Sequence, residues 1–139
     1  MKTYRTLVAL ALSAAFAAPL SAISPRVTLT ADLTGATETA GGDSDGTGSF
    51  SAMVAADEGD FCYSLKVDKI AAATMAHVHS GAAGSNGPPV VTIALADDIC
   101  MAIEPDVLKA MVANPANYYV NVHNAEFPAG AIRGQLQTK

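Results

Sequence analysis

Thirteen carboxylates against eight lysines and arginines leave this 139-residue chain with a formal charge of −5. Such a surface repels nucleic acid and anionic lipid while tolerating cationic partners and metal ions. The length allows one domain with a modest core and leaves no room for a second.

The chain opens with the basic residues Lys2 and Arg5, followed by the uncharged apolar run Leu7 to Ala18, Pro19 and the small residues Ser21 and Ala22. A run of this length is short for a bilayer span and has the layout of a secretory signal peptide, with cleavage expected after Ala22. The expected organisation is a signal peptide over 1–22 and one β domain over 23–139. No lipobox-like cysteine follows the apolar run, so the product is expected in the periplasm or secreted, with no membrane span after cleavage. Losing Lys2 and Arg5 leaves six cations against the thirteen carboxylates, a charge of −7. The acids are scattered over 43–60 and 97–106, as on a solvated face.

Beyond the leader, Val27 to Leu33 and Phe61 to Val67 alternate apolar with polar residues, the period of a half-buried strand. Gly35 to Gly48 has the Gly, Thr, Ser and Asp content of a long mobile loop, and Ser49 to Ala55 resumes a strand pattern. Met75 to His79 alternates again. Ser80 to Pro89 is a turn-rich connection before the strand-length apolar run Val90 to Ala96. Glu104 to Val112 changes period, with Pro105 at an early helical position and Asp106 in the first turn, and it stops before Asn114-Pro115. Tyr118 to His123 and Ala131 to Leu136 are two closing strands around a turn with Pro128 and Gly130. Short strands separated by turn signals predict an all-β, antiparallel, Greek-key-like sandwich or barrel with one short helix.

Two cysteines in an oxidising compartment form a disulfide by default, so Cys62 and Cys100 are expected to pair. Closing that loop stabilises the fold by about 4 kcal/mol in the chain-entropy account. Neither cysteine belongs to a C-x-x-C, which sets a metal role for them aside.

The three histidines carry the chemistry. In Met75-Ala76-His77-Val78-His79, strand alternation sets His77 and His79 on one face and Val78 toward the core. In Tyr118 to His123 it sends Val120 and Val122 inward and Tyr119, Asn121 and His123 outward. Ala131-Ile132-Arg133 buries Ile132 and turns Arg133 to the polar face. If these strands are neighbours, three imidazoles and a guanidinium converge. Three neutral imidazoles with a fourth position open suit copper or zinc, copper having the higher intrinsic affinity. The commoner reading of strand histidines is a polar network of hydrogen-bond anchors, with Arg133 pairing Glu126 or capping a sheet edge. Both stay open, with His77, His79 and His123 as candidate metal ligands and Arg133 and Asn121 as candidate contacts to an anion or ligand. Asn86 and the turn Gly84 to Pro88 read as turn residues, and Tyr118 and Tyr119 as sheet packing. Met53, Met75, Met101 and Met111 form no copper-carrier pattern and read as packing. No nucleophile elbow, phosphate loop or paired-carboxylate signature is present, which argues against hydrolase chemistry.

Two long motifs resemble one family. Ala76-His77-Val78-His79-Ser80-Gly81-Ala82-Ala83-Gly84-Ser85-Asn86-Gly87-Pro88 is similar to the A-H-I-H-x-G-x-x-G-x-N-G-P element of the CHRD domain. Tyr118 to Leu136 is similar to its Y-V-N-V-H-T-x-x-x-P-x-G-E-I-R-G-Q-L run, with Ala131 where the family has glutamate. Leu33-Thr34-Gly35-Ala36-Thr37-Glu38 and Gly46-Thr47-Gly48 resemble the family's opening L-x-G-x-x-E and G-x-G, although Thr39-Ala40 replaces the usual Val-Pro. The likeness spans about residues 27–137 and implies an extracellular β-rich module without a defined activity. An H-x-H strand with a distant third histidine also resembles, over fewer residues, the copper ligands of copper-zinc superoxide dismutases, which use more histidines than the three here. The favoured function is an exported, non-enzymatic module binding a metal ion, an extracytoplasmic protein or an envelope component through this polar face. The alternatives are a mononuclear copper enzyme acting on a small oxidant, with Arg133 as anion guide, and a structural envelope or adhesion module without metal.

Overall fold

The structure, a computed structural model, describes residues 25–139, so the expected signal peptide lies outside the described residues. Nine strands follow in order: β1 Val27–Thr34, β2 Thr47–Ala55, β3 Asp60–Asp68, β4 Ala73–Ser80, β5 Pro89–Ile93, β6 Ile99–Ala102, β7 Tyr118–Asn124, β8 Ile132–Gln135 and β9 Gln137–Thr138. One helix, α1 Pro105–Ala113, lies between β6 and β7. It starts at the expected proline, carries Asp106 in its first turn, and stops at Asn114 before Pro115. Those are the ordinary punctuation marks of a helix: a proline whose missing N–H costs nothing at the start, and an acid facing the positive end of the dipole.

All the strands belong to one antiparallel sheet in the order β5-β4-β7-β8-β1-β2-β3-β6, with β9 added to β1. The edges of this path, β5 and β6, are joined only by Ala94–Asp98. A flat sheet of that order would hold its edges about 34 Å apart at roughly 4.8 Å per strand. Five residues reach about 20 Å, so the sheet has to curl. It forms a half-barrel, not two stacked sheets, which decides between the two architectures expected. Leu29, Phe50, Phe61, Val78, Ile93 and Val122, from strands all along the path, share one core on the inner face. Leu108 and Met111 of α1 are fully buried in the same cluster.

Three departures from the expected elements have local causes. β5 ends at Ile93 and not Ala96, because the Ala94 N–H leaves the ladder and donates to Tyr63 Oη at 2.6 Å, tying the end of one edge to β3. Ile99–Ala102, outside the expected strands, forms the edge strand β6 by pairing with β3, which sets Cys100 in direct register with Cys62. The segment 35–48, read as a long mobile loop, opens with a 3-10 turn at Gly35–Thr37, gives Thr47 and Gly48 to β2, and is held to the β8 side by Asp43 N–H donating to Ala131 O at 2.8 Å.

The Cys62–Cys100 disulfide is formed, across 38 positions of sequence. It fastens an edge strand of four residues that pairs on one side only. Reduction is expected to lower stability by about 2–4 kcal/mol. Urea denaturation of the oxidised and reduced protein checks this; equal midpoints would mean that the disulfide contributes nothing to stability.

Candidate metal centre

Register assembles the site. On the outer face, β4 pairs with β7 so that Met75 stands opposite His123, His77 opposite Asn121 and His79 opposite Tyr119. β8 continues the rows, with Arg133 opposite Asn121 and Gln135 opposite Tyr119. The three histidines therefore meet, and one ligand nitrogen from each lies within 4.8 Å of the others.

This outward face is not wet, as alternation alone had it. Asn121 is 1 % exposed, Tyr119 2 %, Arg133 5 % and His123 8 %. Three connections that the sequence reads only as loops and turns fold over it: 35–46 brings Glu38, 81–88 brings Asn86 and Gly87, and 125–131 brings Pro128. The result is a second, polar core on the reverse of the apolar one.

Arg133 and Asn121 are committed within it. Arg133 Nε donates to Glu38 Oε2 at 3.0 Å, Nη1 to Ser85 O at 3.2 Å and Nη2 to Asn86 Oδ1 at 2.9 Å. Its guanidinium lies 4.2 Å from the centre of the Tyr119 ring. Asn121 Nδ2 donates to Glu38 Oε1 and to Ile132 O. The partner of Arg133 is therefore Glu38, which is buried, and not Glu126, which is exposed. Burial raises the Glu38 carboxyl above its ordinary pKa, with Arg133 and Asn121 pulling the other way. Three of the five Arg133 N–H groups and the Asn121 Nδ2 group, the candidate contacts to an anion or ligand, are thus engaged inside the protein. Asn86, read as a turn residue, also accepts from Thr39 Oγ1 at 2.8 Å.

The histidines are oriented by backbone carbonyls. His79 Nδ1 lies 2.8 Å from Gly87 O and His123 Nδ1 lies 3.1 Å from Pro128 O. A carbonyl oxygen only accepts, so each Nδ1 carries the proton and each neutral ring presents its lone pair at Nε2. His123 Nε2 is 3.3 Å from His77 Nδ1. His79 Nε2 is buried and no protein group hydrogen-bonds it. The His79 ring stacks on Tyr119, centroids 4.9 Å apart and planes within 6°.

Local sequence explains both carbonyls. Gly87 runs so close beneath β4 that a Cβ there would fall on the Ser80 carbonyl oxygen, and only glycine permits the approach. Asn124 Oδ1 accepts from the Glu126 and Phe127 N–H groups at 3.0 and 2.8 Å, an Asx turn that swings Pro128 O back onto His123. Gly130, at φ 145°, lies where a side chain would collide with Glu38 and Asn121.

Burial lowers the pKa of His79 and His123, and the positive charges that His77 and Arg133 can carry lower it further, outweighing the hydrogen bonds to Gly87 O and Pro128 O. Both rings are thereby biased toward the neutral form, the state in which imidazole ligates. Since the unfolded chain titrates at the ordinary imidazole value, it binds protons that the native state refuses. The histidine contribution to stability is therefore full above about pH 6.5 and is lost as pH falls below it. Urea midpoints between about pH 7 and pH 5 are expected to fall more steeply for this chain than for the His79→Gln/His123→Gln variant. Glu38, whose raised pKa acts in the opposite sense, is common to both and drops out of the comparison; parallel curves would refute the assignment.

The arrangement also fits a metal. Two nitrogens bound to one tetrahedral ion at about 2.0–2.1 Å sit about 3.3 Å from each other, and the His77–His123 pair is spaced at 3.3 Å. His79 Nε2 supplies a third donor. Carbonyls at the far nitrogens are the outer partners that metal-binding imidazoles use to set tautomer and ring angle.

Sequence reasoning found the three histidines and missed Glu38, which it quoted only within a motif. Gly87 and Asn124 mark the turns that carry the Gly87 and Pro128 carbonyls, but no residue type says that those carbonyls reach His79 and His123. Fold and site together define a small all-β module that carries a histidine cluster over a buried ionic network. The chain belongs to the CHRD domain family, whose model matches residues 29–136. No curated protein and no solved structure shows significant similarity to it.

Proposed function

We propose that the chain is an exported, non-enzymatic binding module that holds one copper or zinc ion through His77, His79 and His123. The observation that carries this reading is the buried, unpartnered Nε2 of His79, in a cluster of three histidines whose ligand nitrogens lie within 4.8 Å of one another, two of them 3.3 Å apart. A buried acceptor without a donor costs about 1–3 kcal/mol, and an ion at the cluster removes that cost. Export is supported by the leader over residues 1–22 and by the Cys62–Cys100 bond, which persists in oxidising compartments. No helix among the described residues is long and apolar enough to cross a membrane.

A copper enzyme with Arg133 as anion guide has less support, since that guanidinium is 5 % exposed and paired with Glu38. Titration calorimetry of the mature, oxidised protein with Cu(II) and Zn(II) tests the proposal against the variant with all three histidines changed to alanine. One-to-one binding that disappears in a folded variant is the expected result. Absence of binding would make the histidines a polar network and the chain a structural envelope or adhesion module.

A further inference from the structure

Met75 is 48 % exposed, as is Met53 on β2, so its exposure alone does not distinguish it. Its place is specific. It precedes His77 and His79 at strand spacing, and so shares their face, and it stands directly opposite His123. Opposed residues in an antiparallel pair have Cβ atoms about 4.5–5.5 Å apart, and a methionine side chain has the length and freedom to lay its sulfur over a neighbouring ring. Its neighbours on β4 divide cleanly: Ala76 and Val78 go to the apolar core, Met75 and the histidines to the other side. Among the described residues the other exposed methionine, Met53, is on β2 and contacts Arg26, while Met111 is fully buried.

We infer that Met75 is the fourth ligand of the histidine cluster and that its thioether makes the site selective for Cu(I). This rests on the metal reading above and sharpens it. Three neutral imidazoles alone suit zinc and copper alike, but a thioether is a soft donor that favours Cu(I) and gives little to Zn(II). The donor set then carries no negative charge, which suits a monocation better than a dication. Met75 is exposed while His123, directly opposite it, is buried, so the thioether is the more solvent-accessible of the two side chains.

The test compares the oxidised protein with Met75→Leu, a substitution of similar volume at an exposed position that leaves the fold intact. Cu(I) affinity is measured by competition with a chromogenic chelator under ascorbate, not a thiol reductant, so that Cys62–Cys100 stays closed. Zn(II) affinity is measured in parallel. The expected result is a Cu(I) affinity lowered about tenfold or more with Zn(II) affinity unchanged, and a sulfur scatterer in the copper X-ray absorption spectrum that the variant lacks. Copper bound equally by both proteins, without that sulfur, would overturn the role of Met75 and leave the three-histidine site standing. Equal losses for Cu(I) and Zn(II) would make Met75 a packing residue. No binding of either ion by the unaltered protein would overturn this inference together with the reading beneath it.

Discussion

Changing Arg133 to alanine is expected to destabilise the protein by about 3–5 kcal/mol, which for a domain of this size is a large share of its total stability. The reason is what the change leaves behind. The Glu38 side chain is 2 % exposed and bonded to Arg133 and Asn121, so removing the cation strands a carboxylate in a site closed to water. Ser85 O and Asn86 Oδ1 lose their donors in the same step, and the Tyr119 ring loses the guanidinium packed on its face. The 81–88 connection, which brings Gly87 O to His79, is then held less firmly. Urea denaturation with a double-mutant cycle checks this. Arg133→Ala combined with Glu38→Gln is expected to cost clearly less than the two single changes added together, because the second change removes the stranded charge. Simple additivity would mean that the pair is not coupled.

The second large effect is on ligand linkage. A metal that binds the native state alone stabilises it by about 2.7 kcal/mol when the free ion stands at one hundred times its dissociation constant. The protein is expected to show that gain with copper or zinc, and the variant lacking His77, His79 and His123 to show none. The variant need not be the weaker protein without metal. Replacing the His79 ring removes a buried nitrogen that has no hydrogen-bond partner, and alanine has no group to leave unsatisfied. The gain should shrink at acid pH, since His79 and His123 must be unprotonated at Nε2 to ligate. A metal-induced shift of equal size in protein and variant would place the ion elsewhere, and the histidine cluster would lose its role.

Much of the fold was legible from residue type. Strand alternation in Val27 to Leu33 and Phe61 to Val67 marks Leu29, Ala31, Leu33, Phe61 and Leu65, which are in the core, and also the strand-end residues Val27, half-buried, and Val67, exposed. The helix follows from Pro105, Asp106 and the stop at Asn114-Pro115. The same alternation correctly separates His77, His79 and His123 from Val78, Val120 and Val122. In each case a local rule suffices, because side-chain direction along a strand and dihedral preference at a helix end depend only on near neighbours.

What alternation could not supply is whether the face away from the apolar core meets water. A period of two says that Asn121 and Arg133 point away from Val120, Val122 and Ile132, and nothing about what lies above them. That was decided by connections from three distant parts of the chain. Glu38 is 95 positions from Arg133 in sequence, and Asn86 is 47. Curling is likewise a tertiary outcome, imposed by the short Ala94–Asp98 join between the two sheet edges. The sequence by itself determined which residues could form the centre, since three imidazoles on one face follow from strand period alone. Only the tertiary structure decided that they meet, that Gly87 and Pro128 orient them, and that Arg133 serves Glu38, because strand order and loop closure are set by contacts between residues far apart in the chain.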